Sequence, residues 1–421
     1  MELVSVSQPE LEKIQQLGGA DLVIGMLDSG QSEASATVAA VRESLAQLSN
    51  VTRAVVVYNN GSQSPGSITP EIAGDNQSPA VFSLALPASG QAVTPQQSMS
   101  HAYRGVFAVC GKLGVRACAV IASQPRTLTS EWISRLIQPV LELGFDLVAP
   151  HYIRSKMEGL LNRSVLSPLC RALYGMQLQN PLGPDFGLSG NLLQGVLKQD
   201  SGARPRSQID LVASIASTAA RGGCQVSESH LGARTQPLTD WMNLSSLLAE
   251  VLGPIFLEME RQAAFWQSVR GSKPVPRFGS PDTVSDETVT GTADVRRMIE
   301  SCQLGAQNLQ DVWELVLPPT TLLELRKLAR LPVDQFRLPD ELWARIVYDF
   351  ALGHRLRTIS RDHLLRSLTP LYLGAIASYA LEMESAGIAE IEAQSERVCR
   401  AFEAGKPYLV SRWRWPDRFN P

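Results

Sequence analysis

The six cysteines, Cys110, Cys118, Cys170, Cys224, Cys302 and Cys399, form no Cys-x-x-Cys pair. That argues against structural zinc and against a disulfide framework, and it predicts scattered, reduced, mostly buried thiols and a cytoplasmic setting. The five histidines, His101, His151, His230, His354 and His363, show no His-x-x-x-His spacing, so each taken alone is read as structural or superficial. No stretch approaches ~18 uninterrupted apolar residues, which leaves nothing to span a bilayer. The first residues carry Glu2, Glu10 and Glu12 and lack the basic-then-apolar pattern of a secretion signal. Positive charge is not in excess: 38 Lys and Arg against 41 Asp and Glu give a net charge of −3, without the cationic field of a non-specific nucleic-acid binder. A fixed repeat is missing too. What remains is 421 residues with 44% hydrophobic and 19% charged content, the balance of an ordinary globular chain with room for ~2–3 domains.

Short apolar runs alternate with amphipathic segments from Asp21 onward. Asp21–Gly25, Arg53–Tyr58, Ala117–Ile121 and Phe145–Ala149 read as strands, and Ser32–Leu48 repeats Val38, Val41, Leu45 and Leu48 at helical spacing. Trp132, Ile133, Leu136 and Ile137 mark another helix. Continuous apolar strands between such helices predict an α/β fold with a mainly parallel sheet covered on both faces. Asn59–Ser100 is rich in Ser, Gly, Pro and Gln, with one apolar island at Ala80–Leu86, and reads as a long connection. Gly271–Thr292 reads as a surface linker. Beyond Ala293 nearly everything is predicted helical: Asp340 would cap a segment striped with Leu342, Trp343, Ile346, Val347 and Phe350, followed by Pro370–Leu381 and Ala389–Phe402. The expected organisation is therefore a helical lead-in (1–20), a sheet domain (21–270), a linker (271–292) and a helical domain (293–421). Lys406–Pro421 reads as a basic-aromatic tail that packs back on the body. Leftover apolar surface at Trp343 and Tyr372 offers either a packing face or a homodimer face.

Two common motifs fail on inspection. Gly105-Val-Phe-Ala-Val-Cys-Gly-Lys112-Leu113 has one spacer too many for a phosphate loop and no Ser or Thr after the lysine. Leu188-Ser189-Gly190 lacks the Gly-x-Ser-x-Gly frame of a nucleophile elbow.

The region Ala119–Ser189 is the informative one. It holds Gln124-Pro-Arg126 and Glu131-Trp132 after an apolar strand, then Arg154-Ser-Lys-Met-Glu158-Gly159, Pro168-Leu-Cys-Arg171, and Asn180-Pro-Leu-Gly183-Pro-Asp185-Phe186-Gly187. Here, and at Gln208-Ile-Asp210-Leu211, Ser229-His-Leu-Gly232-Ala-Arg234, Gly271–Gly279 and Trp343–Phe350, the chain resembles the GT-A nucleotide-sugar glycosyltransferases, specifically the mannosylglycerate and glucosylglycerate synthase group. The resemblance runs from Asp21 to about Trp413. It implies a GT-A-like (Rossmann-like) sheet domain, a GDP-mannose, UDP-glucose or GDP-glucose donor, and glycerate or a similar small acid as acceptor for a retaining hexosyl transfer. It implies no nucleic-acid partner.

Enzymes of that family hold a magnesium or manganese ion with an Asp-x-Asp pair and a histidine, because hard oxygens suit such cations and the cation neutralises the departing diphosphate. Ala122 and Gln124 stand at the two aspartate positions, and Thr235 or Gln236 at the histidine position, so the resemblance predicts a dismantled metal site. The nucleotide-seating turns are represented by Asp28 and by Asn60-Gly61. Arg104, Arg126 and Arg234 are the remaining donor-binding candidates. Arg154, Glu158 and Asn162 are the acceptor-binding candidates, and Asp185 and Asp210 the catalytic ones. Arg126 also reads as a surface or capping residue, and Asp185 as a turn cap. Two functions follow: a metal-independent transferase, in which arginines grip the diphosphate, or a degenerate relative retained as a binding, regulatory or partner subunit.

Overall fold

The computed structural model describes residues 12, 15, 19–27, 34–46, 48, 51–59, 69–70, 80–86, 95–122, 129–199, 208–233, 243–280 and 294–416. The chain forms two compact units that interleave: one comprises 1–153, 180–234 and 275–283, the other 154–179, 235–274 and 284–421. Consecutive blocks were the expectation from sequence. They interleave because 154–179 and 235–274 supply apolar residues, among them Leu169, Leu248 and Phe256, to the same core as the C-terminal helices.

The first unit is built on nine strands: Leu22–Met26 (β1), Arg53–Asn59 (β2), Thr69–Pro70 (β3), Ala80–Leu86 (β4), Ala117–Ile121 (β5), Leu147–Ile153 (β6), Phe186–Ser189 (β7), Val226–Ala233 (β8) and Arg277–Phe278 (β9). Their spatial order is β9-β8-β6-β7-β5-β1-β2-β4-β3. Neighbours run parallel, except that β7 lies antiparallel between β5 and β6 and β3 antiparallel to β4. The helices of this unit are Ala34–Leu45 (α1), Pro95–Leu113 (α2), Ser130–Glu142 (α3), Gly190–Gln199 (α4) and Gln208–Gly222 (α5). This is the mainly parallel, helix-flanked sheet expected from the apolar runs, with a helical C-terminal region after it. β1 and β5 are buried along their whole length, as central parallel strands must be.

Two stretches depart from expectation. Within 59–100, the apolar island forms β4, paired parallel with β2 from Arg53–Ala80 to Asn59–Leu86, and α2 already starts at Pro95. The supposed linker contributes β9, because Phe278 packs edge-on against Phe145 at 5.2 Å and Arg277 pairs with the buried Glu228 at 2.9 Å. Most of the expected lead-in lies outside the described residues.

Local chemistry explains α3. The Thr129 hydroxyl accepts the Trp132 N–H at 3.2 Å, capping the first turn, and Trp132, Ile133, Leu136, Ile137 and Val140 form its buried stripe. α3 packs so closely on β7 that a Cβ added at Gly187 would lie 2.1 Å from the Leu136 carbonyl oxygen. Backbone cannot yield as a flexible side chain can. Gly187→Ala is therefore expected to destabilise this unit by ~1–3 kcal/mol in urea unfolding, whereas an unchanged midpoint would contradict the packing.

In the second unit the aromatic side chains of Trp266, Trp313, Tyr348, Phe256 and Phe402 fill a helical core. Trp343 and Tyr372 are buried in it, 6.2 Å apart, which corrects the expectation that they line leftover surface. Asp340 is the first residue of the helix Asp340–Leu356, and Pro339 occupies the cap position, so the carboxyl group is not a cap. The last helix runs from Ile388 through Pro407 to Arg414 and absorbs most of the supposed tail. Trp413 packs edge-on against Trp266 at 5.2 Å under the Arg355 guanidinium, while Trp415 is exposed. The cysteines are free thiols, and burial pushes Cys302 up to about 12 and Cys399 up to about 11, so both are poor nucleophiles.

Candidate functional site

Open parallel sheets bind ligands beyond the carboxyl ends of their strands, where the strand order reverses. Here the chain passes from β1 to β2 and β4 on one side and then returns to place β5 on the other. The reversal lies between β1 and β5. Their ends are locked together there, since the Leu27 N–H donates to the Ile121 carbonyl at 3.0 Å.

One residue beyond β5, Ala122 is buried and its N–H donates to Asp185 Oδ1 at 2.7 Å. The Tyr152 hydroxyl, on β6, donates to Asp185 Oδ2 at 2.5 Å. Asp185 itself is 0% exposed. It immediately precedes β7, so its carboxyl group fastens the ends of three adjacent strands. Next to it the Tyr103 hydroxyl, from α2, donates to the Pro184 carbonyl at 3.2 Å, and the Tyr103 ring stacks on Phe186. The geometry is that of a structural lock at the rim of the switch point. Tyr152 and Tyr103 were not singled out from sequence; a tyrosine inside an apolar run gives no sign that its hydroxyl will meet a buried acid.

These residues do not fit a divalent cation. Ala122 offers no side-chain ligand atom, Asp185 directs its oxygens at protein donors without reaching solvent, and among the described residues no three His, Cys, Asp or Glu side chains converge as a metal would require. Topology does bring two histidines together. His151 and His230 are paired across β6 and β8 with ring centroids 4.4 Å apart, a juxtaposition hidden by their distance in sequence.

The other candidates divide by location. Asp28, Asn60, Gly61, Gln124, Arg126, Arg234 and Gln236 lie outside the described residues. In chain order, however, Asp28 follows β1, Asn60-Gly61 follow β2, Arg126 follows β5 and Arg234 follows β8. Arg104 sits half-buried on α2 and Asp210 half-buried in the first turn of α5.

Arg154, Glu158 and Asn162 belong to the second unit, on one loop and the π-helical turn Asn162–Leu166 that follows it. Glu158 Oε2 accepts the Ser155 N–H at 2.9 Å, and the Asn162 side-chain amide donates to the Gln179 carbonyl. Gly159 adopts φ +64°, and a Cβ there would lie 2.2 Å from the Arg154 guanidinium, so the arginine is laid across a position that only glycine leaves open. Each acceptor candidate is thus built into the loop it helps to shape.

No family model matches the chain, and no curated protein matches it. Among solved structures it is similar to glucosyl-3-phosphoglycerate synthase from Mycobacterium tuberculosis. The complex of that protein with uridine diphosphate is 18% identical, with 61% of this chain and 85% of that chain covered and a TM-score of 0.36. Its complex with Mn2+, UDP-glucose and phosphoglyceric acid is 17% identical, with 60% and 83% covered and a TM-score of 0.35. A further mycobacterial protein is 20% identical, with 59% and 77% covered and a TM-score of 0.34.

Proposed function

We propose that the sheet-bearing unit binds a nucleoside diphosphate sugar at the β1/β5 switch point, and that the chain is a glycosyltransferase-like protein which holds the diphosphate without a divalent ion. One observation carries this reading: the donor-binding candidates Asp28, Asn60, Gly61, Arg126 and Arg234 come from separate parts of the sequence, yet each follows, within one to five residues along the chain, a parallel strand of one sheet. That edge is where sheets of this class receive phosphorylated ligands. With Ala122 at the β5 end and Asp185 sealed, the positive charge opposite the diphosphate falls to Arg104, Arg126 and Arg234, whose planar forks match phosphate oxygens.

On this reading GDP-mannose, UDP-glucose or GDP-glucose is the donor, and a small hydroxy acid of the glycerate type is the acceptor. The bond from sugar C1 to the β-phosphate oxygen breaks with its electron pair leaving on the diphosphate. The acceptor hydroxyl oxygen bonds to C1 with retained configuration, and its proton passes to the departing diphosphate. Asp210 orients the acceptor.

Calorimetry with GDP-mannose and UDP-glucose tests the binding step. Binding is expected to be indifferent to EDTA and to weaken ~10–100-fold in Arg126→Ala, the worth of a lost charge-assisted hydrogen bond. No heat up to ~1 mM of either donor would sink the proposal. The burial of Asp185 favours a second reading, a catalytically degenerate relative that binds without transferring. Donor binding with no glycosylated acceptor detectable by mass spectrometry would select it.

A further inference from the structure

We infer that the helical unit carries a peripheral docking surface for a bilayer containing anionic phospholipid, formed where the helices Asp340–Leu356 and Ile388–Arg414 end side by side. The Arg355 side chain ties the two ends together. It donates to the Trp413 carbonyl at 2.6 Å, and its guanidinium lies 4.7 Å over the Trp413 ring.

Charge is sorted at this place. Between Asp349 and Asp362, and again between Glu403 and Asp417, the sequence holds no acid, while those two stretches carry Arg355, Arg357, Arg361, Lys406, Arg412 and Arg414. Three of these cations are used inside the fold: Arg361 holds Glu260, Arg412 faces the buried Asp349, and Lys406 is buried against the Val269 carbonyl. The other three, Arg355, Arg357 and Arg414, are exposed, and none meets a carboxylate among the described residues. Arg414 donates instead to the neutral Gln267 side chain at 2.8 Å. Arg357 is the only non-glycine described residue with a positive φ, +55°, at a helix end where glycine is usual. Its side chain forms no hydrogen bond or ion pair with a described residue, so the fold itself supplies no use for a cation at this turn.

Apolar groups select the partner. Leu356, between Arg355 and Arg357, is 40% exposed, and Trp415, next to Arg414, is 67% exposed. Guanidinium forks beside an indole and a leucine match a bilayer interface: the forks meet headgroup phosphates while the apolar groups reach the first acyl carbons. A nucleic-acid strand or a polyacidic peptide would engage the same charges but leave Leu356 in water. Among the described residues no helix is long and apolar enough to cross a membrane, so the contact is peripheral.

Sedimentation of the full chain with sucrose-loaded vesicles tests this. The chain is expected to pellet with equimolar phosphatidylglycerol and phosphatidylcholine at ~50 mM salt, and ~10-fold more weakly with phosphatidylcholine alone or at ~0.5 M salt. Arg357→Gly and Arg414→Gln should each weaken binding ~5-fold, the effect of one cation at an anionic surface. Arg357→Gly should do so while keeping or raising the melting temperature, because glycine adopts that turn freely. Trp415→Ala should weaken binding ~10-fold through lost apolar burial. Four results would overturn the inference: no preference for the anionic vesicles, full binding by the Arg357→Gly, Arg414→Gln double variant, unchanged binding by Trp415→Ala, or capture of polyglutamate or a single-stranded oligonucleotide where vesicles are not bound.

Discussion

Asp185→Ala is expected to lower the stability of the sheet-bearing unit by ~3–5 kcal/mol, because it strands two buried donors and leaves a void. The Ala122 N–H and the Tyr152 hydroxyl both terminate on this carboxyl group, at 2.7 and 2.5 Å, and neither has solvent to turn to. Tyr152→Phe removes one of the two bonds and should cost less, ~1–2 kcal/mol, with a double mutant that is less than additive. Urea unfolding of the three variants checks this. A catalytic acid poised for substrate behaves in the opposite way, since removing it lowers turnover and leaves the unfolding midpoint unchanged or raised. That outcome for Asp185→Ala would remove the structural lock from this account.

The second large effect concerns pH. Asp349, on the helix Asp340–Leu356, is buried beside the buried Arg412 and accepts the Tyr408 hydroxyl on both oxygens, at 2.8 and 2.9 Å. Burial pushes its carboxyl up to about 7, against the opposing pull of Arg412, Tyr408 and Arg345. In the unfolded chain the same group loses its proton near 3.8. Between these two values the folded state holds one proton more than the unfolded state, so this residue makes unfolding easier as pH rises across that window. The contribution is fully present below the lower value and gone above the upper one. Asp349→Asn cannot titrate. Its stability relative to the unsubstituted protein should therefore improve by ~2–4 kcal/mol on going from about pH 4 to about pH 8, read as the difference of two urea-unfolding series. If the variant instead loses ground as pH rises, Asp349 is a stable anion paired with Arg412 and the expected shift is wrong.

Much of the fold was legible along the chain because its signals are local. Runs such as Leu22–Met26 and Ala117–Ile121 are apolar at every position, which only a strand covered on both faces requires. The stripe Trp132, Ile133, Leu136, Ile137, with Thr129 before it, specifies both the helix and its start. The misreadings share a cause. Ala80–Leu86 looked like an island in a loop because its pairing with the strand Arg53–Asn59 is identified only in space. Phe278 looked like linker until Phe145 met it. Lys406–Pro421 reads as a tail that packs back on the body, and Leu409, Arg412 and Trp413 are buried; what local propensity hid is that the helix runs on through Pro407 to Arg414, because packing outweighs it.

The candidate site divides along the same line. Residue identities alone determined that the alanine at 122 supplies no side-chain oxygen to a cation, because a methyl group carries no lone pair whatever the fold around it. The period of the apolar residues likewise determined an α/β unit joined to helices. Only the tertiary structure decided that Asp185 faces a backbone amide and a tyrosine and that His151 meets His230, since each depends on residues distant in sequence meeting across strands.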